Sequence, residues 1–290
     1  MDIRLETRAT AVLLRAGRVC GVSVGRTELP AKAVVIAAGG AAYPGLGGSR
    51  SGYELAAEAG HSIVPIVPGL VGLRTRETWP AGCAGVTIDD TEVKILHRSC
   101  ARRVWRGALL FTHRGLSGPA ILDASASAAR LLLDEPEVAL QFRPAGGNPD
   151  AGALATLFAG WRKERGRKTV HNLVAEVVPR SLATAICGMR GVSSDTIVAR
   201  LPEQAQKQLV ATLDKLVIHV VATDGFEQAM VSSGGVSLRE VHPATLESRI
   251  VPGLHFAGEI LDLDGPCGGF NLQWCMSSGW LAGKSAAGGE

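Results

Sequence analysis

Ala257-Gly258-Glu259-Ile260-Leu261-Asp262-Leu263-Asp264-Gly265, followed after two residues by Gly268-Gly269-Phe270-Asn271-Leu272-Gln273, is the stretch on which the reading of this chain turns. Just ahead of it, His255-Phe256-Ala257 has the character of a short apolar strand. The strand ends in Gly258-Glu259, an acidic loop follows, and a double glycine opens a helix expected from about Asn271 to Ala282. That helix carries Ser277, Ser278, Gly279 and Ala282, small residues that let it lie close against a sheet. A helix start presents unbonded N–H groups and partial positive charge. The arrangement suits a group that becomes negative, such as the N1–C2=O edge of a reduced flavin, and a carboxylate just past the strand can accept ribityl or ribose hydroxyls. The competing reading is a plain strand-loop-helix connection with its acidic residues turned to water.

Working outward, Ala33-Val34-Val35-Ile36-Ala37-Ala38 is a second apolar run, ending in Gly39-Gly40. A strand without a polar face is buried on both sides, as in a parallel sheet, and ligands of open α/β sheets bind at the carboxyl edge. Ser51 and Glu54 fit a capping box that opens a helix stopping at Gly60. Period-two patterning around Ala16-Gly17 predicts a hairpin or meander over residues 1–24, beginning with Ile3 and Leu5. After Pro65 and Pro68 the texture turns to short β-rich pieces, and Gly146-Gly147-Asn148-Pro149 reads as a linker. Leu154, Leu157, Phe158 and Trp161 stand at helical spacing, and further helical stretches carry Leu182, Ile186, Ile197, Leu201, Leu209, Leu213 and Leu216. The boundaries expected are 1–66 and 216–290 for an α/β layer made by both chain ends, 67–150 for a β-rich insert and 151–215 for a helical insert.

Composition narrows the function classes. With 46% hydrophobic residues among 290, the chain can bury a large core. Thirty Lys and Arg stand against 27 Asp and Glu, spread along the sequence, which argues against a dedicated nucleic-acid surface. The one basic run, Arg162, Lys163, Arg165, Arg167 and Lys168, reads as a solvated helix face. No apolar run reaches the ~18 residues of a membrane span. Met1-Asp2-Ile3-Arg4 has no signal-peptide core, and the six cysteines lack metal or redox spacing, so a soluble cytoplasmic protein with reduced thiols is expected. The seven histidines show no metal spacing; His61 and His219 flank apolar runs and read as packing or surface residues. Gly279 to Ser285 resembles a P-loop but has the wrong spacing and ends a helix. Asp123, Ser125 and His113 lack the strained elbow of a nucleophile triad.

The whole pattern resembles the BaiN-like NAD(P)/FAD-dependent oxidoreductases. The resemblance rests on Met230-Val231-Ser232-Ser233-Gly234-Gly235-Val236, Glu240, Thr245-Leu246-Glu247-Ser248, Pro252-Gly253-Leu254 and the stretch quoted first. It extends to Ala37-Ala38-Gly39-Gly40-Ala41-Ala42-Tyr43-Pro44, Gly52-Tyr53 and Ala59-Gly60-His61, and to Phe111-Thr112-His113-Arg114-Gly115-Leu116-Ser117-Gly118-Pro119. These matches lie in family order and cover nearly the whole chain. The resemblance implies an α/β fold: an incomplete FAD-binding Rossmann-like domain formed by both chain ends, with a β-barrel-like insert and a small helical insert. It implies FAD as cofactor and NAD(P)H as electron donor. Carried over by residue, Ala9 is the backbone contact to adenine, Gly39 and Gly40 line the cofactor loop, and Gly258 precedes Glu259. Glu259 and Asp264 fall near the ribityl and pyrophosphate, and Gly269, Phe270, Asn271 and Leu272 form the turn at the ring. Phe270 stands where Tyr is usual.

The main departure is at the start. Family members open with a strand, a Gly-x-Gly-x-x-Gly turn and a helix, a segment of about a hundred residues that this sequence does not show. Gly45-Leu46-Gly47-Gly48-Ser49-Arg50 lacks the third glycine and follows no strand. Two functions therefore stand: an FAD-dependent oxidoreductase passing electrons from a nicotinamide through flavin to an unknown small organic acceptor or oxygen, or a truncated, non-catalytic fragment unable to bind FAD alone. The partners expected are a small-molecule substrate and a second copy or a missing amino-terminal half, with no nucleic acid and no membrane. No general acid or base stands out, and no metal is expected.

Overall fold

A computed structural model describes residues 2–146 and 150–288. Its elements in chain order begin with β1 (Ala11–Arg15), β2 (Arg18–Val24), β3 (Thr27–Pro30), β4 (Val34–Ile36), α1 (Ser51–Glu58), β5 (Ile63–Gly69), β6 (Leu73–Thr75), β7 (Thr87–Ile95) and β8 (Trp105–Phe111). There follow β9 (Gly115–Ser117), α2 (Pro119–Leu131), β10 (Val138–Phe142), α3 (Ala151–Glu164), α4 (Val170–Val174), α5 (Arg180–Met189) and α6 (Glu203–Asp214). The chain closes with β11 (Leu216–Thr223), β12 (Val231–Val236), β13 (Leu254–Phe256) and α7 (Phe270–Ala286). They divide into two units, one of residues 1–69 and 225–290, the other of residues 70–224.

In the first unit the predicted meander is present as β1-β2-β3, its first turn made by Ala16 and Gly17, both at positive φ as a two-residue hairpin demands. Ile3 and Leu5 precede it outside any strand and are exposed, so the expected early strand is not there. The apolar run at 33–38 supplies the short strand β4, which pairs in parallel with β13, Ile36 opposite Phe256. Leu254 and Phe256 of β13, with Ile260, Val236 and Ala56, are completely buried and belong to this unit's core. Helix α1 corrects the capping-box expectation: Arg50 is its N-cap, Ser51 is already helical, and no side chain caps it. The Ser51 hydroxyl instead meets the Ser49 hydroxyl at 2.8 Å. His61 packs edge-on to Phe256 with ring centroids 4.8 Å apart, and its Nε2 meets the Ser248 hydroxyl at 2.8 Å.

The second unit holds the expected β-barrel, closed in the order β10-β11-β6-β9-β8-β7. Closure leaves no free sheet edge. Along β10, Val138, Leu140 and Phe142 point inward with period two, while the strand pairs β11 on one side and β7 on the other. Helix α2 starts at Pro119, where a missing N–H costs nothing, and buries Ala120, Ile121, Ala124 and Ala128 on one stripe. Two helices of the helical segment are capped by side chains: Asp150 accepts the Ala153 N–H at 2.8 Å to start α3, and Thr169 caps α4. Leu154, Phe158, Trp161, Leu182, Ile186, Leu209 and Leu213 join the barrel residues in a single core.

Two expectations about boundaries need restating. Residues 216–223 were assigned to the end layer, but β11 is a barrel strand, held by β10, by β6 and by Glu77, which accepts the His219 N–H at 2.9 Å. Alternating apolar residues read alike for either sheet. Of the linker Gly146 to Pro149, residues 147–149 lie outside the described residues. Among the described residues no helix is long and apolar enough to cross a membrane.

Candidate functional site

The first unit's site is built on β12, all six of whose residues are buried. Its glycines are required. Gly234 and Gly235 sit at φ +104 and +127, and an added Cβ would stand 2.3 Å from the Pro65 carbonyl oxygen or 2.4 Å from that of Ile260. This close approach leaves the preceding serines free to organise two loops. The Ser232 hydroxyl accepts the Ala41 and Ala42 N–H groups at 2.8 and 3.1 Å, fixing the loop that begins at Gly39-Gly40. The Ser233 hydroxyl donates to Asp264 Oδ1 at 2.6 Å, tying down the acidic loop.

Glu259 enters between them. Its Oε1 accepts the Ser232 N–H at 2.9 Å and lies where a Cβ on Gly40 would be, 1.9 Å from that position. Tyr53 donates its hydroxyl to the Glu259 carbonyl oxygen at 3.4 Å. Burial raises the Glu259 carboxyl above its ordinary range; the Ser232 N–H and hydroxyl draw it partly back, and Asp264 adds to the rise. Tyr53 is pushed up to about 12, by burial first and then by Glu259. The Cys275 thiol is raised by the same two causes.

A carboxyl raised on folding contributes stability that is complete below its unfolded value near 4.5 and lost as pH rises through the folded value. Glu259→Gln keeps an oxygen for the Ser232 N–H and removes that dependence. The variant's melting temperature relative to the native chain should climb as pH rises above the ordinary carboxylate range. A difference that stays flat with pH would show that Glu259 does not titrate as a buried group.

The third component is the start of α7. Gly268 and Gly269 are at φ +122 and +91, Gly269 is the N-cap, and no side chain caps the helix. The first turn's N–H groups are thus left without a capping side chain, and Phe270 and Leu272 in that turn are 60% and 68% exposed. Asn271 points back: its Oδ1 accepts the Gly265 N–H at 2.8 Å and its Nδ2 donates to the Gly265 carbonyl at 2.9 Å, locking the acidic loop to the helix. Gly258 is seated on the same helix, its N–H donating to the Ser278 hydroxyl and its carbonyl accepting from the Trp274 indole.

These residues fit the ring and ribityl half of a flavin. Gly39 and Gly269 both have positive φ and nothing within 4 Å of where a Cβ would stand, which leaves room for a planar ring beside backbone. An uncapped helix start and two carboxylates complete the donor and acceptor set. Gly39 and Gly40 thus lie on the loop held by Ser232, Gly258, Glu259 and Asp264 on the turn and acidic loop after β13, and Gly269 through Leu272 at the N-cap and first turn of α7. Ala9 is not among them: it lies in the irregular lead-in to β1, where the neighbouring Thr10 N–H bonds the Ser23 carbonyl. The roles of Ser232, Ser233, Tyr53 and Cys275 escaped the sequence reading. The Ser-Ser-Gly-Gly run was visible, but nothing local shows that its hydroxyls reach loops far away in sequence.

The Thr112-His113-Arg114 loop, in the other unit, is organised internally. Thr112 Oγ1 accepts the Arg114 and Gly115 N–H groups, and Arg114 shares Asp224 Oδ1 with Arg74. Ser125 is likewise structural, accepting the Val71 N–H and donating to the Leu122 carbonyl. Among the described residues no group of three or more His, Cys, Asp or Glu is placed to hold a metal ion.

A family model described as the HI0933-like protein Rossmann domain matches residues 1–285. The chain is 32% identical over 262 residues to the 3-dehydro-bile acid delta(4,6)-reductase of Clostridium scindens, covering 90% of this chain and 63% of that protein. It is 33% identical over 270 residues to a ribosomal RNA dihydrouridine synthase of Escherichia coli, and 28% identical over 272 residues to one of Haemophilus influenzae; each match covers 91% of this chain and 62% of the relative. The chain therefore spans less than two thirds of the length of these relatives. With the resemblance drawn from the motifs matched by a model over nearly its full length, the chain belongs to the HI0933-like Rossmann-domain family of flavoproteins.

Proposed function

We propose that the chain is the ring-binding part of an FAD-dependent oxidoreductase that takes electrons from a nicotinamide cofactor and reduces an unsaturated ring in an organic acceptor, with oxygen as the alternative acceptor. The observation that carries this is the uncapped, double-glycine start of α7, tied through Asn271 to the acidic loop that Ser233 holds at Asp264. The printed names of the relatives support the acceptor class, since a delta(4,6)-reductase and a dihydrouridine synthase both saturate a carbon–carbon double bond. When bound, FAD would supply two-electron transfer between donor and acceptor. The chain's own part is orientation and electrostatics. The first-turn N–H groups of α7 stabilise negative charge on a ring edge, an effect of about 1 kcal/mol at exposed helix ends and up to about 2 when partly buried. Ser232 and Ser233 hold Glu259 and Asp264 against the loops, and the raised Glu259 carboxyl keeps a proton to higher pH than an exposed one.

A second reading, in which the chain needs another polypeptide to retain FAD, is favoured by the outer face of α7. Leu272, Met276 and Trp280, four residues apart, are each more than two thirds exposed, and the parallel pair β4-β13 has only three residues per strand. A second copy, or a segment equivalent to the third of the relatives that this chain does not span, would cover them. Titrating FAD into the purified chain separates the readings. Saturable binding with a perturbed flavin spectrum is expected under the first, and NADH and NADPH oxidation would then be measured. FAD that stays free at every accessible concentration would overturn the first reading for the chain alone.

A further inference from the structure

A serine hydroxyl has one proton to give and two lone pairs to offer. At Ser248 both lone pairs are taken: its Oγ accepts the Ile250 N–H at 3.0 Å and the Val251 N–H at 2.8 Å. Side-chain bonds of this kind close a tight turn. The hydroxyl proton is left for His61 Nε2, which lies at 2.8 Å. Nε2 is therefore the acceptor, and the neutral ring carries its own proton on Nδ1. His61 and Ser248 are both buried, so water has little access to either partner.

The pair joins two elements that both lead to the Glu259 turn. The His61 N–H donates to the Ala56 carbonyl at 3.0 Å at the end of α1, the helix whose Tyr53 meets the Glu259 carbonyl. Its ring lies edge-on to Phe256 of β13, the strand that runs into Glu259. The Ser248 turn feeds the same strand. The Ser248 N–H donates to the Leu254 carbonyl at 2.7 Å, and the Phe256 N–H donates to the Leu246 carbonyl at 3.0 Å. A proton added to His61 would turn Nε2 into a donor aimed at an oxygen with no lone pair left. Ser248 would then have to give up a turn N–H or swing away from the ring, and burial makes either costly.

The carboxylate that acts on His61 is Glu240, which accepts the Ser62 N–H at 2.8 Å and the Ser62 hydroxyl at 2.6 Å. On the Ser248 turn, Glu247 accepts the Gly253 N–H at 2.7 Å and Arg249 donates to the Val241 carbonyl at 3.2 Å. Glu54 and Glu58 of α1, Arg239 and His242 are exposed, and His255 of β13 meets the Ser285 hydroxyl of α7 at 3.3 Å. Burial lowers the His61 imidazole from its ordinary range, against smaller upward pulls from the Ala56 carbonyl and Glu240.

We propose that His61 is a positioning residue for the flavin site whose hold depends on one proton: neutral, it locks α1 and the Ser248 turn to β13 and so fixes the entry to the Glu259 turn, and protonated, it lets them part. The link to flavin rests on the function proposed above; the lock does not. As pH falls through about 6.5, the unfolded chain takes up this proton before the folded one does, so the stability from His61 is full above that value and is lost on the acid side. Glu259 titrates in the opposite sense, so direction separates the two groups.

The test is nitrogen-15 NMR of the histidine rings of the full chain, paired with amide hydrogen exchange at neutral and mildly acid pH. At neutral pH His61 should carry its proton on Nδ1. Corrected for intrinsic rates, exchange at Leu254, Phe256 and Ala257 should be about tenfold or more faster at about pH 5 than at about pH 7.5. His61→Gln keeps an acceptor for the Ser248 hydroxyl and does not titrate, so its exchange should change little over that range. A proton on Nε2 at neutral pH would overturn the proposal, as would native exchange that does not quicken in acid, or quickening of equal size in the variant. The tautomer and the native exchange are read without any variant. FAD affinity, followed by flavin fluorescence in the same samples, should weaken in acid for the native chain and hold for His61→Gln. Equal affinity at both pH values, with protection lost as expected, would overturn the link to the site. FAD that stays free at every pH while the tautomer and exchange results hold would overturn the flavin reading alone.

Discussion

Gly235→Ala is expected to destabilise the first unit by about 3 kcal/mol or more and to weaken flavin binding with it. At φ +127 the residue occupies backbone space that side chains rarely enter, and its new Cβ would lie 2.4 Å from the Ile260 carbonyl oxygen and 3.1 Å from the Tyr53 ring. Neither neighbour can withdraw cheaply. The Ile260 oxygen is backbone in the turn that also carries Glu259, and Ile260 itself is completely buried. Relief would push the Glu259 turn away from β12, where the Ser232 N–H holds its carboxylate, so stability and the cofactor loop fail together. The measurement is the urea unfolding midpoint, paired with the FAD titration. Gly279→Ala supplies the contrast, because that glycine lies in α7 with nothing within 4 Å of an added Cβ. There the change should be neutral or stabilising by about 0.5–1 kcal/mol, as for any exposed helix position. Equal effects at the two sites would contradict the packing described around β12.

Phe158→Ala should destabilise the second unit by about 3–5 kcal/mol. Phe158 is completely buried, and its ring lies 4.8 Å from that of Trp161 at a tilted angle of 58°. The informative feature is how far the loss spreads. Helical and barrel side chains share one core, so amide protection should drop in β10, at Leu140 and Phe142, as well as in α3 and α6. Hydrogen exchange reads this directly. Protection lost only in the helices, with β10 unchanged, would mean that the helical insert has a core of its own. Phe158→Leu should cost much less, about 1.5 kcal/mol or below, because volume and apolar character are largely kept.

What could be read from the sequence was what local physics specifies. The meander follows from period-two alternation and the Ala16-Gly17 turn, helix α3 from the helical spacing of Leu154, Leu157, Phe158 and Trp161, and the start of α7 from Gly268-Gly269. Each depends on residues within a few positions of one another. The capping box at Ser51 shows the limit even of local rules: the right spacing was present, but the chain entered the helix one residue earlier, at Arg50.

The sequence by itself determined the strand-Gly-Glu-loop-Gly-Gly-helix pattern and the change from β-rich to helical texture, because these rest on patterns contiguous along the chain, and the motifs together determined the family, from which the barrel was expected. Only the tertiary structure decided how the site is braced. Ser232 grips Ala41 and Ala42 about 190 residues away, Ser233 meets Asp264, and Tyr53 meets Glu259. It likewise placed β11 in the barrel. A hydroxyl or a strand carries no local mark of its distant partner, since register and loop closure are set by the packing of the whole core. The same packing buries the Glu259 carboxyl and so raises it, and the redox chemistry proposed for this chain depends on that bracing.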